Sequence, residues 1–328
     1  MVPPRPLTYS RSLTFTLTHD CPWHCAYCGF RTEEEGWLPW VEVDRLCALI
    51  PHHAIHEALI ISGEQPGRLP HLKRELQRQG FHDFIDLANA IALRALSAGA
   101  LPHGNYGALR EDQLARLRPL HVSLGLMLEN IRDYPWAPEK RAAGRMATIE
   151  AAGRLRIPFT SGLLLGLGET PASRLESLDA LAASHHRHGH LQEILLQPFQ
   201  PNARSPLRFA PDPLGPEDFL HLMAEWRQRC PDVPIQVPPN LVPFWPELAS
   251  DLDDLGGISP ARDEVNPDHP WAQENLYRAE AARLGRRLTP RLAVYDRYLD
   301  PAWIDAKLLN QARTLRAQLD AELLATTP

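Results

Sequence analysis

Leu13-Thr14-Phe15-Thr16-Leu17-Thr18-His19-Asp20-Cys21-Pro22-Trp23-His24-Cys25-Ala26-Tyr27-Cys28-Gly29-Phe30-Arg31 is an apolar, β-branched run that passes directly into three cysteines spaced C-x3-C-x2-C. A strand followed at once by a thiol-rich loop is the opening of a strand-helix repeat. Further short apolar runs follow at Ala58–Ile61, Ala100–Pro102, His121–Leu126, Pro158–Leu165, Glu193–Gln197, Pro234–Val237 and Leu255–Ser259. Between them lie amphipathic stretches that read as helices, Phe81–Ala98, Arg141–Leu155, Pro171–His188 and Pro216–Arg229, with Gly99 and Gly189 as stops and Pro171 and Pro216 as starts. Such alternation predicts a parallel sheet with covering helices. About eight units over about 10–260 match the ~250 residues of an α/β TIM-type barrel. Ile304, Leu308, Ala312, Leu315, Leu319 and Leu323, spaced by three or four, predict an amphipathic helix in a C-terminal extension over about 261–328, all within one domain, 1–328.

In such a barrel the loops leaving the C-terminal strand ends form the active face, which is where the cysteine loop falls. The chain has five cysteines, an odd number, and three lie within eight positions, unlike a disulfide framework. Cys47 and Cys230 stand in apolar or helical contexts and read as small core residues. Three thiolates cannot fill the four-thiolate shell of an electron-transfer cluster, but they could hold a cubane with one iron open to substrate. Zinc on the three sulfurs plus His19 or His24 is a second reading, making a non-catalytic zinc-binding barrel. A Cys25–Cys28 redox dithiol is a third, and it leaves Cys21 without a role.

Composition narrows the partners. Acidic residues exceed basic ones, 40 to 34, which argues against nucleic acid or an anionic membrane and for a small molecule. The start, Met1-Val2-Pro3-Pro4-Arg5-Pro6, lacks the apolar core of a secretory signal, and no apolar run approaches the roughly 18 residues of a membrane span. A reducing cytoplasm is expected. Glu33-Glu34-Glu35 reads as a solvated loop, and the 32 prolines are scattered, as in many stiff short turns.

Cys21, Cys25, Tyr27 and Cys28 match C-x3-C-x-aromatic-C, and on them the sequence resembles the radical S-adenosylmethionine (SAM) superfamily. The resemblance implies one 4Fe-4S cluster on the three cysteines, SAM bound to its open iron, and an external ferredoxin- or flavodoxin-type electron donor whose electron releases a 5′-deoxyadenosyl radical. Tyr27 would pack at the cluster or adenine edge; a plain core aromatic is the alternative. Cys21–Arg31, Ala58–Glu64, Leu101–Gly107, Ser123–Glu129, Ile149–Thr170, His188–Pro201, Gln236–Leu241 and Leu255–Pro267 further resemble the 7,8-didemethyl-8-hydroxy-5-deazariboflavin synthases. That family's substrate is 5-amino-5-(4-hydroxybenzyl)-6-(D-ribitylimino)-5,6-dihydrouracil, supplied by a partner radical SAM synthase. The ring would close with loss of ammonia, making the chain a lyase.

By the same resemblance Ser62, Gly63 and Glu64 would hold the SAM amino group, Glu129 the ribose hydroxyls, and Gly166 would pack near adenine. A surface turn is the alternative for the first three, and a helix-start carboxylate for Glu129. His103, Asn105, Gln197, Gln236 and Asn240, at predicted strand ends, suit a uracil-like ring and a ribityl chain, with a turn or capping role as the alternative for each. Tyr106, His103 or Glu129 could move the protons. Two departures from the family pattern are visible. The segment between Glu129 and Ala137-Pro138-Glu139-Lys140 is short, through Asp133-Tyr134-Pro135-Trp136, and Gly104 and Tyr106 are atypical. They raise the alternative of a paralogue acting on another aromatic or heterocyclic substrate.

Overall fold

A computed structural model describes residues 6–33, 35–261 and 263–325. Met1 to Arg5 of the N-terminal segment, and Glu34 of the glutamate loop, lie outside the described residues. In chain order the elements are β1 (Leu7–Thr16), α1 (Trp40–His52), β2 (Glu57–Ile61), α2 (Pro70–Arg78), α3 (Phe84–Ala98), β3 (Leu101–Asn105), α4 (Glu111–Leu117), β4 (Ser123–Gly125), α5 (Ala142–Arg154), β5 (Phe159–Leu165), α6 (Pro171–His188), β6 (Leu191–Pro198), α7 (Pro216–Arg229), β7 (Ile235–Gln236), β8 (Asp254–Ile258), α8 (Glu274–Arg283), β9 (Leu288–Arg291) and α9 (Ala306–Ala325). The strands run β2-β3-β4-β5-β6-β7-β8-β1, and β1 pairs back onto β2, closing an eight-stranded parallel barrel. The TIM-type fold expected from the alternating runs is the fold observed.

Local chemistry sets the boundaries. Asp83 accepts from the backbone N–H groups of Ile85 and Asp86, so α3 starts at Phe84 and not at the expected Phe81; Gly99, at φ 108°, ends it. Thr170 caps α6 ahead of Pro171, and Gly189 closes it at φ 68°.

The expected strands omitted β9, the one element that changes the architecture. It pairs with Leu7–Ser10 of β1, below the Ser12–Thr16 stretch that pairs with β2, while β8 holds the opposite edge. Pro290 is tolerated because β9 pairs along one edge only. The chain after β9 packs Leu292, Ala293, Val294, Ile304, Leu308, Leu309 and Ala312 against Leu101 and Val122, at the N-terminal ends of β3 and β4. The C-terminal extension is therefore a plug under the barrel as well as the amphipathic helix its spacing predicts, and it leaves the opposite mouth to the cysteine loop.

Candidate active site

The cysteine loop is anchored at both ends. Asp20 accepts from the backbone of Glu35 and Gly36 and from His71 Nε2 at 2.8 Å. Ala26 donates to the Trp136 carbonyl and accepts from Leu207 N–H, both at 2.7 Å. Gly63 sits so close beneath the loop that a Cβ there would lie 2.2 Å from the Asp20 carbonyl oxygen, so only glycine fits. Cys21, Cys25 and Cys28 all face a cavity of about 400 Å³ that opens beneath them and runs down the barrel. Burial pushes the Cys21 thiol up and the Cys25 thiol to about 12.

One buried ionic chain braces this mouth. Glu129, at the end of the strand that β4 begins, accepts from Tyr27 Oη at 2.5 Å and Lys140 Nζ at 3.0 Å and forms an ion pair with Arg145 at 3.1 Å. Arg145 also donates to Glu64 Oε2 at 3.1 Å. Burial opposes the charge on Glu129, but Arg145 and Lys140 outweigh it and hold the carboxyl below its usual range. Lys140 shows the converse: burial opposes its charge, and Glu129 and Tyr27 more than restore it, raising its pKa well above the ordinary value. Glu129 itself stands at φ 68°, held there by backbone bonds to Gly162 and Leu164 of β5.

The cavity walls follow the strand period. Glu57, Leu59 and Ile61 on β2, and Glu193, Leu195 and Gln197 on β6, point inward in steps of two. The interior thus has a polar floor, an apolar waist that includes Leu126, and a polar mouth.

A model of the radical SAM superfamily matches residues 15–181. A 7,8-didemethyl-8-hydroxy-5-deazariboflavin synthase of Methanoregula boonei is 38% identical over 312 residues, covering 93% of this chain and 94% of the relative. Another, of Gloeobacter violaceus, is 41% identical over 303 residues, covering 89% and 90%. This chain is a radical SAM protein of the deazaflavin synthase family. Among solved structures, HydG, a maturase of the FeFe-hydrogenase, aligns at TM-score 0.66 and 16% identity over 97% of this radical SAM chain and 78% of its own. Methylornithine synthase (PylB) aligns at 0.64 and 16%, over 87% and 84%. At such identities the likeness is one of fold.

Of the residues singled out from the sequence, Tyr27, Ser62, Gly63, Glu64, Glu129, His103, Asn105, Gln197, Gln236 and Asn240 line the same cavity as the three cysteines. Two do not. Tyr106 is 1% exposed in the main core, with its hydroxyl on His121 Nε2 at 2.8 Å, off the cavity wall. Its atypical neighbour Gly104 is explained by the same packing, since a Cβ there would meet the Tyr106 ring at 2.5 Å. Gly166 makes the turn after β5, where its N–H donates to Glu169 at 2.8 Å; Leu164 lines the cavity in its place. Sequence reasoning missed Lys140 and Arg145. Lys140 lies in the very stretch that follows the short segment, and Tyr134 and Trp136 fix that segment by donating to the Leu164 and Leu167 carbonyls at 2.7 and 2.9 Å.

The donor set suits a cluster. Among the described residues, the only potential ligand trio with donor atoms within 4.8 Å of one another is His82, Asp83 and Asp86. As they stand, the three sulfurs are not all within 4.8 Å of one another, whereas Zn–S bonds of ~2.3 Å bring sulfurs to within ~4 Å, so no preformed zinc site is present among the described residues. Three thiolates facing one cavity are the donor set of an iron-sulfur cubane with one open iron.

Proposed function

We propose that this chain closes the deazaflavin ring, converting 5-amino-5-(4-hydroxybenzyl)-6-(D-ribitylimino)-5,6-dihydrouracil to 7,8-didemethyl-8-hydroxy-5-deazariboflavin with loss of ammonia. The observation that carries the reading is that the three cysteines, the Ser62-Gly63-Glu64 edge and Glu129 face one cavity, in a chain 38% identical to such a synthase over nearly its full length. Cys21, Cys25 and Cys28 hold the 4Fe-4S cluster. When bound, the cluster and SAM supply hydrogen-atom abstraction, with the electron coming from an external ferredoxin- or flavodoxin-type donor.

The protein's own contribution is placement and exclusion of water. Glu64 Oε2 is occupied by Arg145, whereas Oε1 has no partner among the described residues and can accept the SAM ammonium. Glu129 Oε2, with Tyr27 as its one donor, keeps an acceptor site for a ribose hydroxyl. Asn105 and Gln197 present side-chain amides to the substrate at the mouth. Leu59, Leu126 and Leu195 pack an aromatic ring system in the waist and keep it dry. His103 is the proton acceptor nearest that level. Its Nδ1 faces the Ser123 hydroxyl at 2.7 Å, and that hydroxyl gives its own proton to the Ala293 carbonyl, which leaves Nε2 as a bare acceptor. Burial lowers the pKa of the ring and keeps it neutral. Five free thiols fit a reducing cytoplasm, and no helix among the described residues is long and apolar enough to cross a membrane. A partner synthase supplies the adduct.

The test is anaerobic turnover. Reconstituted protein given reductant, SAM and the adduct is expected to generate deazaflavin fluorescence, and Cys25→Ala to generate none. Fluorescence undiminished in Cys25→Ala would refute the cluster assignment, and none from the wild type would refute the function.

A further inference from the structure

The floor of the cavity holds two acceptors with free capacity. Glu57 is 7% exposed, and its one partner among the described residues is the Ser12 hydroxyl, 3.3 Å from Oε1; no cation pairs with it. Its neighbour Glu193, by contrast, is well partnered, by Thr160 at 2.9 Å, Arg291 at 2.9 Å and Tyr295 at 3.1 Å. A register shift between β5 and β6 pairs Phe159 with Leu191 and Thr160 with Glu193, so Gln192 is an extra residue that faces inward beside Glu193. Gln192 is 1% exposed, donates through Nε2 to Thr160 and Ala293, and leaves its buried Oε1 without a partner.

A buried carboxylate without a cation and a buried carbonyl without a donor are both destabilising unless a ligand completes them. The missing partner is one that brings several hydrogen-bond donors and no acceptor-rich anion. Depth narrows it further. Glu57 begins β2, four residues below Ile61 at the mouth, or about 13 Å at ~3.3 Å per residue. That is too far for the carbon that reacts beside the cluster, and it suits the far end of an elongated substrate whose ring occupies the waist.

We infer that Glu57 and Gln192 form a subsite for the polyhydroxylated side chain of the substrate. The inference rests on the deazaflavin-forming reading, in which that chain is D-ribityl. Its hydroxyls donate to Glu57 Oε2 and Gln192 Oε1 at the end of the barrel opposite the cysteines. Arg291 and Tyr295, which reach the floor from β9 and the segment after it, hold Glu193 and so shape the subsite without being needed as its ligands.

The experiment compares two fluorescent probes on the reconstituted holoenzyme: the N10-ribityl deazaflavin product and its N10-methyl analogue. The wild type is expected to bind the ribityl compound at least about tenfold more tightly. Glu57→Gln is expected to reduce that preference to about threefold or less while raising the Tm of the unliganded protein, because it removes an uncompensated buried charge. Gln192→Leu, which deletes a different acceptor, is expected to reduce the preference as well. An unchanged preference in both variants, or a Glu57→Gln protein less stable than the wild type, would overturn the assignment. Wild-type turnover to deazaflavin without any ribityl preference would overturn the subsite and leave the activity standing. Failure of both turnover and binding would overturn both.

Discussion

The Tyr27 hydroxyl donates to the Glu129 carboxylate at 2.5 Å, joining the cysteine loop after β1 to the chain leaving β4 across 102 positions of sequence. Glu129 carries the connection onward through Arg145 to Glu64, beneath the same loop, while Lys140 pairs with Glu129 and donates to Tyr27 Oη. The aromatic position of the cysteine motif is thus a structural tie between the loop and the cavity-facing carboxylates.

Tyr27→Phe cuts that tie and keeps the ring. A hydrogen bond to a charged group contributes about 1.5–3 kcal/mol, and a loss of that order is expected by denaturant unfolding. Iron content should stay near four per chain while SAM affinity falls. Full SAM affinity would show that the loop is positioned without Glu129.

Lys140→Met leaves Glu129 with Arg145 as its one cation, and removing one partner of a buried pair costs about 3–5 kcal/mol. The sign with pH follows from both shifts. Glu129 is held below its ordinary 4.5, so its contribution is present above that pH and is lost as pH falls through the folded value. Lys140 is raised above its ordinary 10.5, so its contribution is present below that pH and is lost as pH rises through the folded value. The stability gap between wild type and variant should therefore be widest between about pH 5 and 10 and should narrow on the acid side. A gap independent of pH would remove the ion pair from the account.

Glu193 behaves oppositely. Burial pushes its pKa up to about 7, with Arg291 pulling it down and Asp254 pushing it further up. A carboxyl raised from 4.5 contributes stability below that pH and loses it as pH rises through the folded value. Unfolding free energy should fall between pH 5 and 8 in the wild type, and Glu193→Gln should flatten that slope. An equal slope in both proteins would place the titration elsewhere.

Gly63→Ala forces a Cβ to within 2.2 Å of the Asp20 carbonyl oxygen, and backbone cannot yield as a side chain would. Iron incorporation should collapse. At Gly67 a Cβ meets nothing within 4 Å, and Gly67→Ala should stay within about 0.5 kcal/mol of the wild type with full iron. Equal iron content in both variants would contradict the close approach.

Tyr106→Phe tests the displacement of that residue from the site. It deletes a buried bond to His121, worth about 1 kcal/mol, and should leave the turnover rate intact. A large fall in kcat with unchanged stability would return Tyr106 to the chemistry.

The barrel was legible because its signals are local. The first eight strands are short apolar runs, and the stops at Gly99 and Gly189 adopt the left-handed conformation that glycine permits. β9 escaped because the four residues Leu288-Thr289-Pro290-Arg291 contain no apolar run, and it becomes a strand only because half of one β1 edge is open to it. The cysteines and the Ser62-Gly63-Glu64 edge were legible from spacing. Lys140 and Arg145 were not, since a lysine after a proline turn and an arginine on a helix read as solvated. Their burial depends on Glu129 and Glu64, which only the closed barrel brings near. Tyr106 misled for a related reason: strand alternation puts His103 and Asn105 inward, but the chain has left β3 by residue 106, and the ring turns back over Gly104.

The most direct measurement is product stoichiometry from the reduced, reconstituted wild type supplied with SAM and the hydroxybenzyl-ribitylimino-dihydrouracil adduct. Deazaflavin, ammonia and 5′-deoxyadenosine are predicted to appear together, with one ammonia released per deazaflavin formed. Release of 5′-deoxyadenosine with neither deazaflavin nor ammonia would contradict the account and assign this barrel to a different substrate.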